Sequence, residues 1–313
     1  MRQFFVRWVE QYLFFPTPFQ RLIGFFLLPF TLIYCVVTAY GRLSKKPFDF
    51  GIPIISIGNL LVGGTGKTPV IIELAKRYTK TAVILRGYGR DTKGLLVVSN
   101  GKEILEDVSR SGDEAQLLAQ ALGDSIVIVS ENRMQGVAKA QELGAKLVFL
   151  DDGYRHHEIK KFDILLRPKK EPTNIFCLPT GGYRDTKMMY AFCDTVLKEE
   201  KDFKRKVSFL KHDELVENLP DELVLLSAIS KADRLLEYLP KGIKKVIYED
   251  HHMFTKEEID AVYEKYPDIS IITTQKDYVK LRAFDLKNIY IMKLDIEIDP
   301  NSLELMEKYI KEY

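Results

Sequence analysis

The residues best suited to hold a phosphate lie in GNLLVGGTGKTP (58–69). Gly63, Gly64 and Gly66, with Thr65 among them, let backbone N–H groups turn inward around phosphate oxygens. Lys67 can reach the terminal phosphates of a nucleotide such as ATP, and the Thr68 hydroxyl suits Mg²⁺. The spacing G-x-x-x-x-G-K-[ST] would put its first glycine where Leu61 stands, so the doubled Gly63-Gly64 has to supply the missing freedom. A bare G-K-T is common by chance. It gains weight here because a β-rich run precedes it and a helical run, Pro69 to Tyr78, follows.

A nucleotide site also needs a carboxylate at the end of another buried strand. LVFLDDG (147–153) offers four apolar residues and then Asp151 and Asp152 at the carboxyl edge of a sheet. Successive residues leaving a strand point to opposite sides, which assigns Asp151 to Mg²⁺ and frees Asp152 for proton chemistry. Alone, Asp-Asp-Gly reads as a plain turn; beside a phosphate loop it reads as the acidic half of the site.

The elements that must position these groups follow from periodicity. Short apolar, β-branched runs recur at 53–57, 82–85, 95–98, 126–129, 147–150 and 163–166, several of them separated by helical patterns. This predicts a P-loop NTPase-like α/β fold, a mostly parallel sheet with helices on both faces. A charge-dense stretch, EEKDFKRK (199–206), precedes a second set of strand candidates at 223–229, 244–248, 269–274 and 289–294. ISKADRLLEYL and TKEEIDAVYEKY read as its helices, the latter with Thr255 as N-cap and Glu258 at the capping-box position. The expected organisation is an N-terminal membrane-associated helical segment (1–46), a nucleotide-binding domain (47–198) and a linker with a smaller α/β domain (199–313).

The N-terminus departs from the rest of the chain. Leu22 to Gly41 are 20 consecutive uncharged residues, enough for about 30 Å of helix. FFVRWVEQYLFF before them reads as an interfacial helix, and Pro16-Thr17-Pro18 separates the two, with Thr17 placed to cap and Pro18 at the first helical position. Membrane contact is expected, spanning or lying in the interface. Arg42, Lys45 and Lys46 after the apolar run put the body on the cytoplasmic side.

Composition bounds the remainder. In 313 residues, 46% are hydrophobic and 29% charged, which excludes disorder. Forty-six basic residues against 44 acidic leave a net charge of +2, too little for a protein whose main partner is nucleic acid. Cys35, Cys177 and Cys193 are widely spaced and form no zinc or redox motif, consistent with a reducing compartment. His156, His157 and Glu158 are not read as a metal site, because adjacent histidines do not share a helix face.

Seven segments carry a resemblance. GNLLVGGTGKTP, LRGYGR (85–90), GDEAQLLA (112–119), LDDGYRHH (150–157), LPTGGYRD (178–185), DHHMFT (250–255) and TTQKDYVKL (273–281) occur in the order and approximate spacing of the tetraacyldisaccharide 4'-kinases of lipid A biosynthesis. The resemblance covers essentially the whole chain. It implies a kinase at the cytoplasmic face of the inner membrane that moves the γ-phosphate of ATP to the 4'-hydroxyl of a tetraacylated glucosamine disaccharide 1-phosphate, giving lipid IV-A. A lipid acceptor explains the apolar N-terminus.

Roles follow from the resemblance. Asp152 and His251 look like a carboxylate–imidazole pair that prepares the sugar hydroxyl, with the proton acceptor left open between them and His252 as an alternative partner. Asp113 and Glu114 open a helical run, where capping would suffice to explain them, yet the matching G-D-E segment implies a second use around Mg²⁺ and the γ-phosphate. Arg86, Arg90 and Arg133 follow strand ends and are placed to meet the acceptor's 1-phosphate or the nucleotide; ordinary surface ion pairing is the alternative. The oligomeric state is not written in the sequence. A partitioning-type ATPase also uses a G-G-x-G-K-T loop, but those switches carry a lysine where this chain has Val62.

Overall fold

In a computed structural model, the structure describes residues 2–63, 66–229, 232–284, 286 and 288–313. The first half of the chain runs α1 (Arg2–Phe14), α2 (Pro18–Leu43), β1 (Ile54–Asn59), α3 (Lys67–Ala75), β2 (Thr81–Leu85), β3 (Leu96–Asn100), α4 (Val108–Ser111), α5 (Asp113–Ala121) and β4 (Ile126–Val129). Next come α6 (Arg133–Glu142), β5 (Leu147–Asp151), β6 (Phe162–Arg167), β7 (Thr195–Lys198), β8 (Phe203–Lys211), β9 (Glu214–Val216), β10 (Leu223–Ser227) and β11 (Lys244–Ile247). The chain ends with α7 (Lys256–Lys265), β12 (Ser270–Thr274), α8 (Gln275–Leu281), β13 (Ile289–Ile298) and α9 (Glu304–Lys311). By contact it forms two compact units, one of Met1–Lys67, Phe149–Phe203 and Ile298–Tyr313, the other of Thr68–Val148 and Lys204–Glu297.

In the first unit β1 pairs in parallel with β6, and β6 with β7, while the end of β5 flanks β1 on its other side. All six residues of β1 are buried, as a strand covered on both faces requires. Gly58, which reads from sequence as the start of the loop, lies inside β1. A Cβ there would sit 2.9 Å from the Cβ of Tyr154, so this glycine serves strand packing.

The α1–α2 elbow forms as its residues dictate. Thr17 caps α2, Pro18 occupies its first turn, and Gln20 closes a capping box with Thr17. One face of α2 is docked along its length on the 173–185 segment. Thr31 donates to the Thr180 hydroxyl (2.7 Å), Tyr34 donates to the Arg184 carbonyl (2.8 Å), and Arg42 pairs with Asp185 (2.5 Å). The opposite face leaves Phe19, Leu22, Phe26, Phe30, Ile33, Val37 and Tyr40 exposed at helical spacing. By length and composition α2 could cross a membrane, and its best 18-residue window has mean hydropathy 2.3 with 11% of it buried.

In the second unit β2 and β4 are parallel, and β3 lies antiparallel on β4. A six-stranded sheet follows the order β11-β10-β12-β13-β8-β9, parallel through β11, β10, β12 and β13. The expected Thr255–Glu258 capping box opens α7. ISKADRLLEYL forms only a 3₁₀ stretch, Ala232–Tyr238, with Ser230 and Lys231 outside the described residues. Ala232 and Leu239 are buried and Leu235 and Leu236 pack half-buried against the core, so the short segment is held by its apolar side chains in 3₁₀ rather than α-helical geometry.

The end of α1 is seated on Gly182, whose N–H donates to the Leu13 carbonyl (3.1 Å) and whose missing Cβ would strike the Phe14 ring. Gly182→Ala is expected to destabilise the chain by about 1–3 kcal/mol through overpacking. A melting temperature in detergent lowered by a few degrees bears this out, and an unchanged one contradicts it.

Candidate active site

The phosphate loop leaves β1 at Asn59 and ends at Lys67, the first residue of α3. Gly63 (φ +92°) and Gly66 (φ +80°) adopt backbone conformations that side-chain-bearing residues rarely take, so glycine is required at both. Gly64 and Thr65, expected to contact phosphate, lie outside the described residues. Leu61, standing where the usual first glycine would be, is buried with Leu60, Tyr154, Leu165, Cys177 and Tyr183. Its side chain is committed to this core.

Around Lys67 the first unit builds a charge cluster. Lys67 Nζ donates to Asn59 Oδ1 (3.1 Å) and lies 3.5 Å from Asp152 Oδ1. Arg184 grips Asp152 with two bonds of 2.7 Å, and its Nη2 also donates to the carbonyl and Oδ1 of Asn59 (2.9 and 2.6 Å). Burial works to raise the Asp152 pKa, but the Arg184 hydrogen bonds and the Lys67 charge outweigh it and hold the carboxyl far below its usual range. Asp152 takes a left-handed conformation (φ +53°) directly after β5. Asp151, the last residue of β5, is 8% exposed.

The second unit builds another cluster around Asp113, which opens α5 and is buried. His251 Nδ1 lies 3.0 and 3.2 Å from its two carboxylate oxygens. A carboxylate can only accept, so Nδ1 carries the hydrogen and Nε2 keeps the lone pair when the ring is neutral. Nε2 lies 3.7 Å from Asp250 Oδ2. Lys280 Nζ and Lys276 Nζ approach Asp113 Oδ2 at 3.4 and 3.8 Å, and Lys276 also reaches Glu114 and Asp250, each at 3.4 Å. The hydrogen bond to Asp113 raises the His251 pKa. Burial raises that of Asp113, but the bond from His251 and the charges of Lys276 and Lys280 bring it down overall. Gly89 admits this arrangement, since a Cβ there would lie 3.1 Å from the Cβ of His251.

The expected residues thus fall into place unevenly. Lys67 and Asp152 are together, and so are Asp113, Glu114 and His251. His252 turns to Glu258 (2.9 Å) and stacks on Tyr248. Arg86 is exposed and its guanidinium lies over the Tyr88 ring at 5.2 Å. Arg90 is occupied by Glu131 (2.5 Å) and the Gly94 carbonyl (2.6 Å), and the buried Arg133 donates to the Ser130 carbonyl. Among the described residues no three His, Cys, Asp or Glu side chains gather into a metal-holding group. Arg184, Asn59, Lys276 and Lys280 were not singled out from sequence. Lys276 and Lys280 carried a usable signal, four apart on one helix and so on one face.

The whole chain is similar to known proteins. The chain matches the LpxK family, tetraacyldisaccharide-1-P 4'-kinase, over residues 23–311. It is 54% identical over 314 residues to the tetraacyldisaccharide 4'-kinase of Aliarcobacter butzleri, covering 100% of both chains. It is 43% identical to that of Helicobacter pylori strain 26695, covering 97% of this chain and 95% of the relative. The crystal structure of "apo" form LpxK from Aquifex aeolicus in complex with ATP superposes with a TM-score of 0.74 at 26% identity, over 93% of this chain and 99% of that one. The chain therefore belongs to the tetraacyldisaccharide-1-P 4'-kinase family.

Proposed function

We propose that this chain transfers the γ-phosphate of ATP to the 4'-hydroxyl of a tetraacylated disaccharide 1-phosphate lipid, forming lipid IV-A. One observation carries the reading beyond family membership. The chain combines a glycine-turned phosphate loop ending in Lys67 with an imidazole whose Nδ1 is fixed on a buried carboxylate, leaving Nε2 to accept a hydroxyl proton.

Phosphoryl transfer asks a protein mainly for positioning and charge neutralisation. Lys67, on a flexible stem held by Asn59 and Asp152, supplies a cation for the transferring group. Asp152 has both carboxylate oxygens engaged by Arg184, with Lys67 beside one of them, and its part is to hold those two cations. The proton therefore goes to His251, oriented by Asp113.

Mg²⁺ bound with a triphosphate needs only one or two protein oxygens, and the Thr68 hydroxyl and the Asp151 carboxylate at the end of β5 are hard oxygen donors that fit it. When bound, the ion neutralises charge on the phosphate oxygens. Asp113 and Glu114, expected near the metal, are paired with His251 and Lys276, and the reading leaves them to those partners. Arg86, exposed above Tyr88, is assigned to an anionic group of the acceptor or nucleotide, whereas Arg90 and Arg133 brace their loops.

The docking of α2 supports an interfacial rather than a spanning membrane contact. A spanning helix must be wrapped in hydrocarbon for about 30 Å, whereas α2 is hydrogen-bonded to the 173–185 segment at Thr31, Tyr34 and Arg42. We therefore place α2 along the cytoplasmic interface of the inner membrane, its exposed Phe and Val face in the acyl boundary.

The detergent-solubilised protein, given Mg-ATP labelled at the γ-position and the acylated disaccharide 1-phosphate, is expected to place label in lipid. Label found only in inorganic phosphate would refute the reading. Lys67→Ala is expected to lower kcat by about 10²–10³-fold. Asp113→Asn should lower kcat by about 10–10²-fold and also move its pH profile. The Asp113 charge favours the imidazolium, so wild-type turnover falls as pH drops through the raised His251 value. Removing that charge eases proton loss, and the acid limb shifts to lower pH; an unmoved limb would count against His251 as the base.

A further inference from the structure

We propose that the buried Asp277–Lys280 ion pair is the positioning device for His251, gripping its backbone and its ring from a single anchor. The inference rests on the reading of His251 as the proton acceptor.

The anchor is Asp277 in the first turn of α8, fully buried. Its Oδ2 accepts hydrogen bonds from Ser227 Oγ (2.8 Å), Thr274 Oγ1 (2.9 Å) and the N–H of Ala228 (3.1 Å). Two paths lead from it to His251. The first is through main chain: Ala228, whose N–H donates to Asp277, accepts with its carbonyl from the His251 N–H (3.2 Å). The second is through charge. Asp277 Oδ1 pairs with Lys280 Nζ (3.0 Å), Lys280 pairs with Asp113 Oδ2 (3.4 Å), and Asp113 holds His251 Nδ1 (3.0 Å).

Neither side chain of the pair has any exposure, so neither serves solubility or steering. The Lys280 ammonium also faces the Phe254 ring at 5.3 Å, which limits where else it can go. Two charges this deep are costly unless each is satisfied. Of the partners that satisfy them, Ala228 and Asp113 each contact His251. His251 itself sits at φ +63°, a conformation a histidine does not keep unless its surroundings impose it. Lys276 contributes from the rim, where it also reaches Glu114 and Asp250, whereas Lys280 bridges Asp113 to Asp277.

The test is a double-mutant cycle in the full-length, detergent-solubilised enzyme, with folding checked by circular dichroism. Lys280→Met keeps the stem and removes the ammonium. It is expected to lower kcat by about 10–10²-fold with KM for ATP unchanged within about twofold. In a His251→Ala background the same change should lower the residual rate by less than about twofold, because the residue it positions is already gone. An equal loss in both backgrounds, or a kcat within about twofold of wild type for Lys280→Met alone, overturns the proposal. Ser227→Ala, which takes one hydroxyl from Asp277 and leaves both charges in place, serves the same cycle if Lys280→Met does not fold. It is expected to lower kcat by about 3–10-fold with the same dependence on His251, and additivity there overturns the proposal equally. Failure of the unmodified enzyme to label lipid would instead refute the kinase reading, so the two failures are distinct.

Discussion

A carboxylate taken out of water must be met by cations or by hydrogen-bond donors, and that requirement shapes both charge clusters in this chain. Asp152 is met by Arg184 and Lys67; Asp113 is met by His251, Lys276 and Lys280. Leaving a carboxylate as deeply buried as Asp113 unpaired costs several kcal/mol, so its partners are part of what holds the second unit together. Two of those partners, Lys67 and His251, are the groups assigned to the reactants. The interactions that neutralise these carboxylates therefore also fix the groups that act.

The backbone bears the complementary strain. Asp152 and His251 both take left-handed conformations without being glycine, at about 1–2 kcal/mol each. Asp152 is held there by its N–H donating to the Ile57 carbonyl (2.9 Å) and by the Arg184 fork. Gly63 and Gly66 take the positive φ that the loop requires, and Gly89 leaves room where a side chain would crowd the imidazole. Local strain at residues of assigned function is thus paired with over-determined contacts around them.

The strand runs, the Thr17 and Thr255 caps and the phosphate loop were legible in the sequence because each is a local pattern: a short apolar, β-branched run, a capping residue at fixed offset, glycines before a helix. Side-chain partnerships were not legible in this way. His251 and Asp113 lie 138 residues apart, and Arg184 and Asp152 lie 32 apart. Periodicity tells which face of an element is buried, not which loop ends converge. The interleaving of Met1–Lys67 with Phe149–Phe203 and Ile298–Tyr313 in one unit escapes local reading for the same reason. Leu61 marks the opposite limit: the sequence shows a leucine where a glycine is usual, and only its packing beside Tyr183 shows where the side chain goes.

The central claim is that His251 presents a neutral Nε2 while Asp113 holds the hydrogen on Nδ1. The chain has five histidines, few enough for ring-nitrogen NMR of ¹⁵N-histidine-labelled protein, with the His251→Ala spectrum giving the assignment. The account predicts that the His251 ring, when neutral, is the Nδ1–H tautomer and titrates above the ordinary imidazole value of 6.5. An Nε2–H tautomer, or titration at or below that value, would contradict it.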